Sequence, residues 1–300
     1  MDSTWPLIKD VGGLLKRLKR LYEYEDTITR LFPTLPEQWS FSRVDALVLG
    51  YFFQTYSRKT VVLDIGTFAG RSSFYFATQP KVLKVISVDP NPLVTDEIED
   101  ISMLVDLSVD LESFQDLRVL DLARAALAEF ADERQKVQLH AGVVGSRQVG
   151  IQRDFLESVD EVEVPVLEPS DDVSLVAFVD GLHTKEGVQA DLEAIFKRNP
   201  QAIAFLHDCR GYWGPFVQAG VANFIESSRK KYNFHLFEHL GPGLEAPNLG
   251  IVYSDLGAVE VNNFLLKLQH PLHLSKLVLA FGVSTASHKL QRILRKAFTA

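Results

Sequence analysis

The sequence predicts an α/β protein built on a Rossmann-like sheet of seven mostly parallel strands. We expect helices on both faces, an antiparallel C-terminal hairpin strand, and extra helices at both ends of the chain. Short apolar runs of strand type alternate with helical patterns from residue 59 to about residue 231. Two strand-like runs, 234–239 and 249–253, then follow each other with no helix between them. Adjacent strands connected in this way pair antiparallel.

The chain divides into three segments. Residues 1–58 have helical patterns, residues 59–256 hold the predicted sheet, and residues 257–300 form a helical extension. Within the middle segment, residues 93–136 are acidic and too long for one crossover helix, which predicts a helical insert. Residues 147–170 are predicted to form a small hairpin or extra strands.

Composition excludes several classes of protein. A net charge of −8 argues against general nucleic-acid binding, which needs a basic face. The single cysteine, Cys209, excludes an internal disulfide and fits a reducing, cytoplasmic location. The N-terminus has no signal-peptide pattern, and no apolar stretch reaches the roughly 18 residues of a transmembrane helix.

The clearest indication of a ligand site is the first predicted strand–turn–helix unit. It reads VVLDIGTFAGRSSFYFA at residues 61–77. A strand-like run leads into Asp64, Gly66 and Gly70, and a helix begins near Ser72. A glycine turn before a helix start offers free N–H groups to a nucleotide. The acid before the first glycine would repel a pyrophosphate, whereas it suits a ligand that carries an amino group or a cation. The alternative is a plain turn in another Rossmann-like protein.

The next two strands supply further candidates. A strand over residues 84–88 ends at Asp89, about 25 residues after Asp64, where a carboxylate accepts bonds from ribose hydroxyls. A third strand over residues 137–140 is followed by Gly142.

The D-x-G-x-x-x-G spacing resembles the first motif of class I S-adenosylmethionine (SAM) methyltransferases, and GTFAGRSS resembles the small-molecule O-methyltransferases. The resemblance covers about residues 61–256 and implies SAM as the cofactor. That family often has an acid near the adenine after the third strand; this chain has none, so backbone groups at Gly142 are expected there instead. The cofactor-binding candidates are Asp64, Gly66, Thr67, Gly70, Ser72, Asp89, Gly142 and Asp180.

Strands four and five predict a second cluster. The apolar run 174–179 ends at Asp180, and the run 202–206 ends at His207 and Asp208. If these strands are neighbours, about 4.8 Å apart, their carboxylates can converge on one ion. Hard oxygen ligands with an imidazole suit Mg²⁺ or another divalent cation. The metal candidates are therefore Asp180, His207 and Asp208.

The sequence DGLH at residues 180–183 resembles a D-G-x-H branch related to catechol, caffeoyl-CoA and macrocin O-methyltransferases. By that resemblance Asp180 is the first metal ligand, and His183 stands at the position of the general base. His207 replaces the usual acid, which leaves the full metal site open. The implied catalytic residues are His183 and Asp180, and the implied acceptor is a small hydroxylated sugar, polyketide or phenol.

We also make predictions for the two ends of the chain. By the resemblance to the O-methyltransferases, the segment Trp39, Ser40 and Phe41 is a candidate lid over the cofactor. The C-terminal extension is basic and the insert is acidic, which favours contact within or between subunits, so the terminal helices are candidates for a homo-oligomer interface; a solvated tail is the equal alternative. Two other functions stay open: an NAD(P)-dependent oxidoreductase, disfavoured by the missing third glycine, and a non-catalytic SAM-fold binding protein.

Overall fold

We describe a computed structural model of the chain. It describes residues 5–35, 42–102, 111–145, 160–167, 172–229, 231–238 and 245–270, together with residues 275, 278, 282 and 286. The candidate lid at 39–41, most of the predicted extra strands at 147–170, and the basic residues of the C-terminal extension after Lys267 lie outside these ranges.

The described strands form one seven-stranded sheet in the order β3-β2-β1-β4-β5-β7-β6. The first five strands run parallel, and β7 pairs antiparallel with both β5 and β6. This confirms the predicted architecture and its C-terminal hairpin. The strands are β1 Lys59–Ile65, β2 Val82–Asp89, β3 Val137–Ala141, β4 Val173–Val179, β5 Ile203–Leu206, β6 Tyr232–Leu236 and β7 Gly250–Ser254.

The strand order reverses between β1 and β4, which pair in register from Lys59 with Val173 to Ile65 with Val179. A reversal of this kind leaves a crevice at the carboxyl ends of the strands, because the flanking crossovers lie on opposite faces. Asp64 and Asp180 lie at that crevice, as the sequence predicts. The sixth strand begins two residues earlier than the apolar run at 234 suggests.

Helices cover both faces of the sheet. Helices α7 and α8 pack on one face, against side chains such as Leu63, Ala177 and Leu206. Helices α1, α2 and α9 pack on the other face, against Val62 and Phe178 among others. The helices are α1 Trp5–Leu31, α2 Arg43–Thr55, α3 Arg71–Ala77, α4 Val94–Ser102, α5 Val119–Leu127, α6 Ala131–Arg134, α7 Lys185–Arg198, α8 Gly214–Ser227 and α9 Ala258–Gln269.

Helix α2 shows why the N-terminal segment belongs to the core. Its residues 44–53 are all buried, because α1 covers one side of it and the sheet the other. Ser42 caps the helix by accepting the Asp45 N–H at 3.1 Å. The Ser-x-x-Asp spacing is a known signal for a helix start.

The described part of the acidic insert is largely helical. It comprises α4, a 3₁₀ turn at Leu111–Phe114, α5 and α6. Its apolar residues, including Phe114 and Leu122, form a third core cluster with Tyr24 of α1 and Phe74 of α3. The insert therefore packs against the helix that follows the glycine turn.

Candidate active site

The glycine turn after β1 adopts a left-handed backbone at three positions: Gly66 (φ 89°), Phe68 (φ 43°) and Gly70 (φ 75°). A Cβ atom on Gly66 would lie 2.0 Å from the carbonyl oxygen of Asp180. The Asp180 N–H also donates to the Ile65 carbonyl at 2.8 Å. The predicted cofactor turn and the end of β4 are therefore in direct contact.

Asp64 is fully buried beneath this turn. Its Oδ2 accepts bonds from the hydroxyls of Ser72, at 2.8 Å, and of Ser73, so the acid ties the end of β1 to the start of α3. Its Oδ1 is buried without a hydrogen-bond partner. Burial raises the pKa of the Asp64 carboxyl to about 7, although the two serine hydroxyls oppose the shift.

Asp89 lies at the end of β2, next to the same turn. Its two oxygens accept the backbone N–H groups of Phe68 at 3.0 Å and of Asn91 at 2.7 Å. Burial raises the pKa of this carboxyl, and the backbone donors reduce the shift. A carboxylate offers about four lone-pair sites, so acceptor capacity remains for ribose hydroxyls. Thr67 is also buried, and its hydroxyl bonds that of Ser87 on β2.

Gly142 follows β3 and donates its N–H to the Asp89 carbonyl at 2.8 Å. Residues 160–162 run beside it: Val143 donates to Asp160, and Val162 donates to Val143. A Cβ atom on Gly142 would lie 2.4 Å from a methyl group of Val162. This glycine therefore allows close packing of the segment, and its role in adenine binding stays a prediction.

The ends of β4 and β5 bring four side chains together. His183 Nε2 lies 3.3 Å from Asp180 Oδ1 and 3.1 Å from Asp208 Oδ2. His207 Nδ1 lies 3.0 Å from Asp180 Oδ1 and 3.4 Å from Asp208 Oδ1. We call these four residues the strand-end cluster. The sequence predicted all four, and the adjacency of β4 and β5 explains why they meet.

The charges in the strand-end cluster are mutually compensated. Burial by itself would raise the pKa of the Asp180 and Asp208 carboxyls, yet the two imidazoles lower both. Burial would lower the pKa of His183, but the two carboxylates raise it to about 9. The pKa of His207 is likewise raised well above its ordinary value, despite burial, chiefly by Asp180. The carboxylates therefore favour the cationic form of both imidazoles.

Two members of the site escaped sequence reasoning. Asp45 of α2 is completely buried, and its Oδ2 lies 3.3 Å from His207 Nε2. Asn248, in the loop before β7, donates its N–H to Asp45 Oδ1 at 2.9 Å and its amide to Asp208 Oδ1 at 2.5 Å. Their only sequence signal was the Ser42-x-x-Asp45 helix start, which gives no hint of a contact with β5.

The cluster offers a set of metal ligands. Asp180, His207 and Asp208 each present one ligand atom, and these atoms lie within 4.8 Å of one another. Two carboxylates and one imidazole suit a divalent cation. Carboxylates that hold the second nitrogen of a ligating histidine are usual at metal sites, and Asp45 has that position at His207. The residues present therefore fit a divalent cation in chemistry and spacing.

Aromatic rings flank the cluster on the side of α8. The Trp213 ring stacks on His183, with centroids 5.4 Å apart and planes inclined by 23°. Tyr212 is 66% exposed and meets Trp213 edge-on. Cys209 is buried instead, and burial raises the pKa of its thiol to about 12. A thiol with that pKa is no nucleophile at neutral pH.

Comparison with known proteins identifies the class. Residues 63–209 match a family model described as a methyltransferase domain. This segment holds the glycine turn, Asp89 and the whole strand-end cluster. No curated protein sequence matches the chain significantly.

Solved structures with similar architecture include three O-methyltransferases. A putative enzyme from Klebsiella pneumoniae is 16% identical, covering 79% of this chain and 89% of its own (TM-score 0.44). TomG from Streptomyces achromogenes, involved in tomaymycin synthesis and solved with SAM, is 19% identical with the same coverage (TM-score 0.44). An enzyme from Bacillus cereus, solved with S-adenosylhomocysteine (SAH), is 17% identical, covering 80% and 91% (TM-score 0.43).

The match to a methyltransferase domain covers residues 63–209, just under half of the chain. The match indicates a methyltransferase, and the seven-stranded sheet is that of the class I O-methyltransferase-like fold. Within the described residues, no helix combines the length and hydropathy needed to cross a membrane.

Proposed function

We propose that the protein methylates a hydroxyl group of a small sugar, polyketide or phenol, with His183 as the general base. The observation that carries this proposal is the contact between the two halves of the site. Gly66 of the cofactor turn lies against the backbone of Asp180, and Asp180 in turn contacts His183 at 3.3 Å. A methyl donor in the turn and a hydroxyl at His183 would therefore be neighbours.

The buried polar groups of the turn suit SAM. The unpartnered Asp64 Oδ1 favours the ammonium of the amino-acid part, and the Asp89 carboxylate favours ribose hydroxyls. When bound, SAM supplies an electrophilic methyl group. The protein's share of the reaction is to hold the acceptor hydroxyl in line and to take its proton.

His183 has the geometry of an oriented base. Asp180 and Asp208 both contact Nε2, and Trp213 supports one face of the ring. The neutral imidazole is the form that takes the acceptor proton. Since the carboxylates favour the cation, His183 must first release a proton to solvent before it can take the acceptor proton.

A divalent cation at Asp180, His207 and Asp208 is the second part of the proposal. When bound there, a cation would lower the pKa of an acceptor hydroxyl. Thermal-shift titration with Mg²⁺ and Mn²⁺, against a chelator control, tests binding apart from activity. Stabilisation that is lost in Asp208→Asn supports the site, whereas no stabilisation by either ion removes the metal from the proposal.

The function is tested by incubating the protein with SAM and a panel of sugars, polyketides and phenols. SAH release and a mass increase of one methyl group on an acceptor hydroxyl would support the proposal. Thermal shift separates the other functions: SAH should stabilise the protein, whereas NADH should not. SAH binding with no transfer to any acceptor class would favour a binding protein instead.

A further inference from the structure

Tyr24 lies at an unexpected place for a residue of the N-terminal helix. It is fully buried and its hydroxyl donates to the carbonyl of Ala69 at 2.9 Å, inside the cofactor turn. A Cβ atom on Gly70 would lie 2.8 Å from the same hydroxyl. The Tyr24 hydroxyl therefore occupies the space that a side chain at position 70 would need, and only glycine leaves room for it.

The Tyr24 ring is fixed by aromatic neighbours from two other elements. It stacks on Phe74 of α3 at 4.3 Å, with planes 14° apart, and contacts Phe130 at 5.5 Å. One helical turn earlier, Arg20 lies over the Phe130 ring at 5.0 Å and binds both carboxylate oxygens of Glu133 at 2.8 Å. This anchoring leaves the hydroxyl little freedom to move.

The turn needs such support, because its backbone is strained. Phe68, a non-glycine residue, has a φ of 43°, a conformation that costs free energy. On one side the Asp89 carboxylate accepts the Phe68 N–H, and on the other side Tyr24 donates to the Ala69 carbonyl. Two side chains from distant elements thus hold the Thr67–Phe68 and Ala69–Gly70 peptide groups of the turn.

We propose that Tyr24 is a positioning residue for cofactor binding: its hydroxyl holds the β1–α3 turn in the conformation that receives SAM. The N-terminal helix, which lies outside the segment matched by the methyltransferase family, thereby contributes to cofactor affinity. The inference rests on the proposed location of SAM in this turn, and it is independent of the acceptor and of any metal.

The test is Tyr24→Phe, which keeps the stacked ring and removes only the hydroxyl. We expect the Kd for SAH, measured by isothermal titration calorimetry, to rise about fivefold, which corresponds to about 1 kcal/mol. The KM for SAM should rise similarly, with kcat within about twofold of the wild-type value. Amide hydrogen exchange of the SAH-free protein should accelerate at Phe68 and Gly70.

Tyr56→Phe is the matched control. Tyr56 is also buried and its hydroxyl bonds Ser174 at 2.9 Å, at the opposite end of the strands. This variant should lose similar thermal stability and keep wild-type SAH affinity and exchange at the turn. Equal Kd values for Tyr24→Phe and the control would overturn the positioning role. Wild-type protein that fails to bind SAH would overturn the cofactor assignment itself, and this inference with it.

Discussion

Two pairs of aspartates at one edge of the sheet have opposite electrostatic environments. Asp64 and Asp89, at the cofactor turn, are bonded by hydroxyl and backbone donors, and burial raises the pKa of both carboxyls. Asp180 and Asp208, at the ends of the neighbouring strands β4 and β5, face imidazoles that lower the pKa of both carboxyls. The first pair lacks a cationic partner, whereas the second pair already has two. Under the proposed function, the first environment suits a cationic ligand and the second suits proton transfer.

The largest effect should come from the strand-end cluster. Replacing His183 with Gln should lower kcat by roughly 10² to 10⁴, the usual contribution of a positioned base, and leave the Kd for SAH unchanged. The measurement is single-turnover methyl transfer together with SAH calorimetry. His140→Gln, a change at the end of β3, is the control and should keep its activity. Turnover of His183→Gln within threefold of the wild type would refute the assignment of the base.

Gly66 lies where the cofactor turn contacts the end of β4, so a side chain at this position should distort both regions. A Cβ atom would collide with the Asp180 carbonyl, and we expect Gly66→Ala to lose about 3 kcal/mol or more of unfolding free energy. Gly211 has a comparable φ, 68°, with nothing within 4 Å of the added Cβ. Gly211→Ala should therefore cost only about 1 kcal/mol in denaturant unfolding. Equal losses would show that backbone strain, rather than the contact with β4, decides the cost.

The raised pKa of Asp64 makes stability depend on pH. The folded protein holds this proton up to a pKa of about 7, far above the ordinary value, so its contribution to stability is full in acid and disappears as the pH rises through 7. Asp64→Asn removes this loss of stability at high pH, because an asparagine side chain does not ionise. The variant should match the wild type near pH 4 and exceed it by on the order of 2 kcal/mol at pH 8, where the buried charge is costly.

Denaturant unfolding at both pH values measures this difference, and SAH calorimetry should show that the stabilised variant binds the cofactor more weakly. A gain in stability that is the same at both pH values would contradict a raised pKa for Asp64.

Asp45 should affect turnover more than cofactor binding. In Asp45→Asn one oxygen still accepts the Asn248 N–H, but His207 Nε2 loses its carboxylate partner. Loss of an orienting carboxylate commonly costs tenfold or more, and we expect a kcat about tenfold lower at unchanged SAH affinity. Steady-state kinetics with SAM varied decides this. A change confined to the KM for SAM would place Asp45 with the cofactor turn instead.

The smallest effect should come from Cys209. Its thiol is buried with a raised pKa, so Cys209→Ala should keep kcat and lose about 1 kcal/mol of stability through lost packing. A loss of turnover larger than about tenfold would give this thiol a role in the site that its burial argues against.

Local sequence patterns were enough for much of this molecule. The apolar runs located the strands, and the acids after them marked the edge where Asp180 and Asp208 meet. What the patterns could not reveal are contacts between distant parts of the chain. Tyr24 reaches the cofactor turn across 45 positions, and Asp45 reaches Asn248 across 203. A buried tyrosine or a helix-start aspartate has the same local signature whether or not it serves a site.

The central claim is that SAM binds in the β1–α3 turn and presents its methyl group to the strand-end cluster. A crystal structure of the protein with SAH tests it most directly. We predict the ribose at Asp89, the amino group at Asp64, and the sulfur facing the space beside His183. SAH bound elsewhere, or a sulfur directed away from Asp180 and His183, would contradict the account.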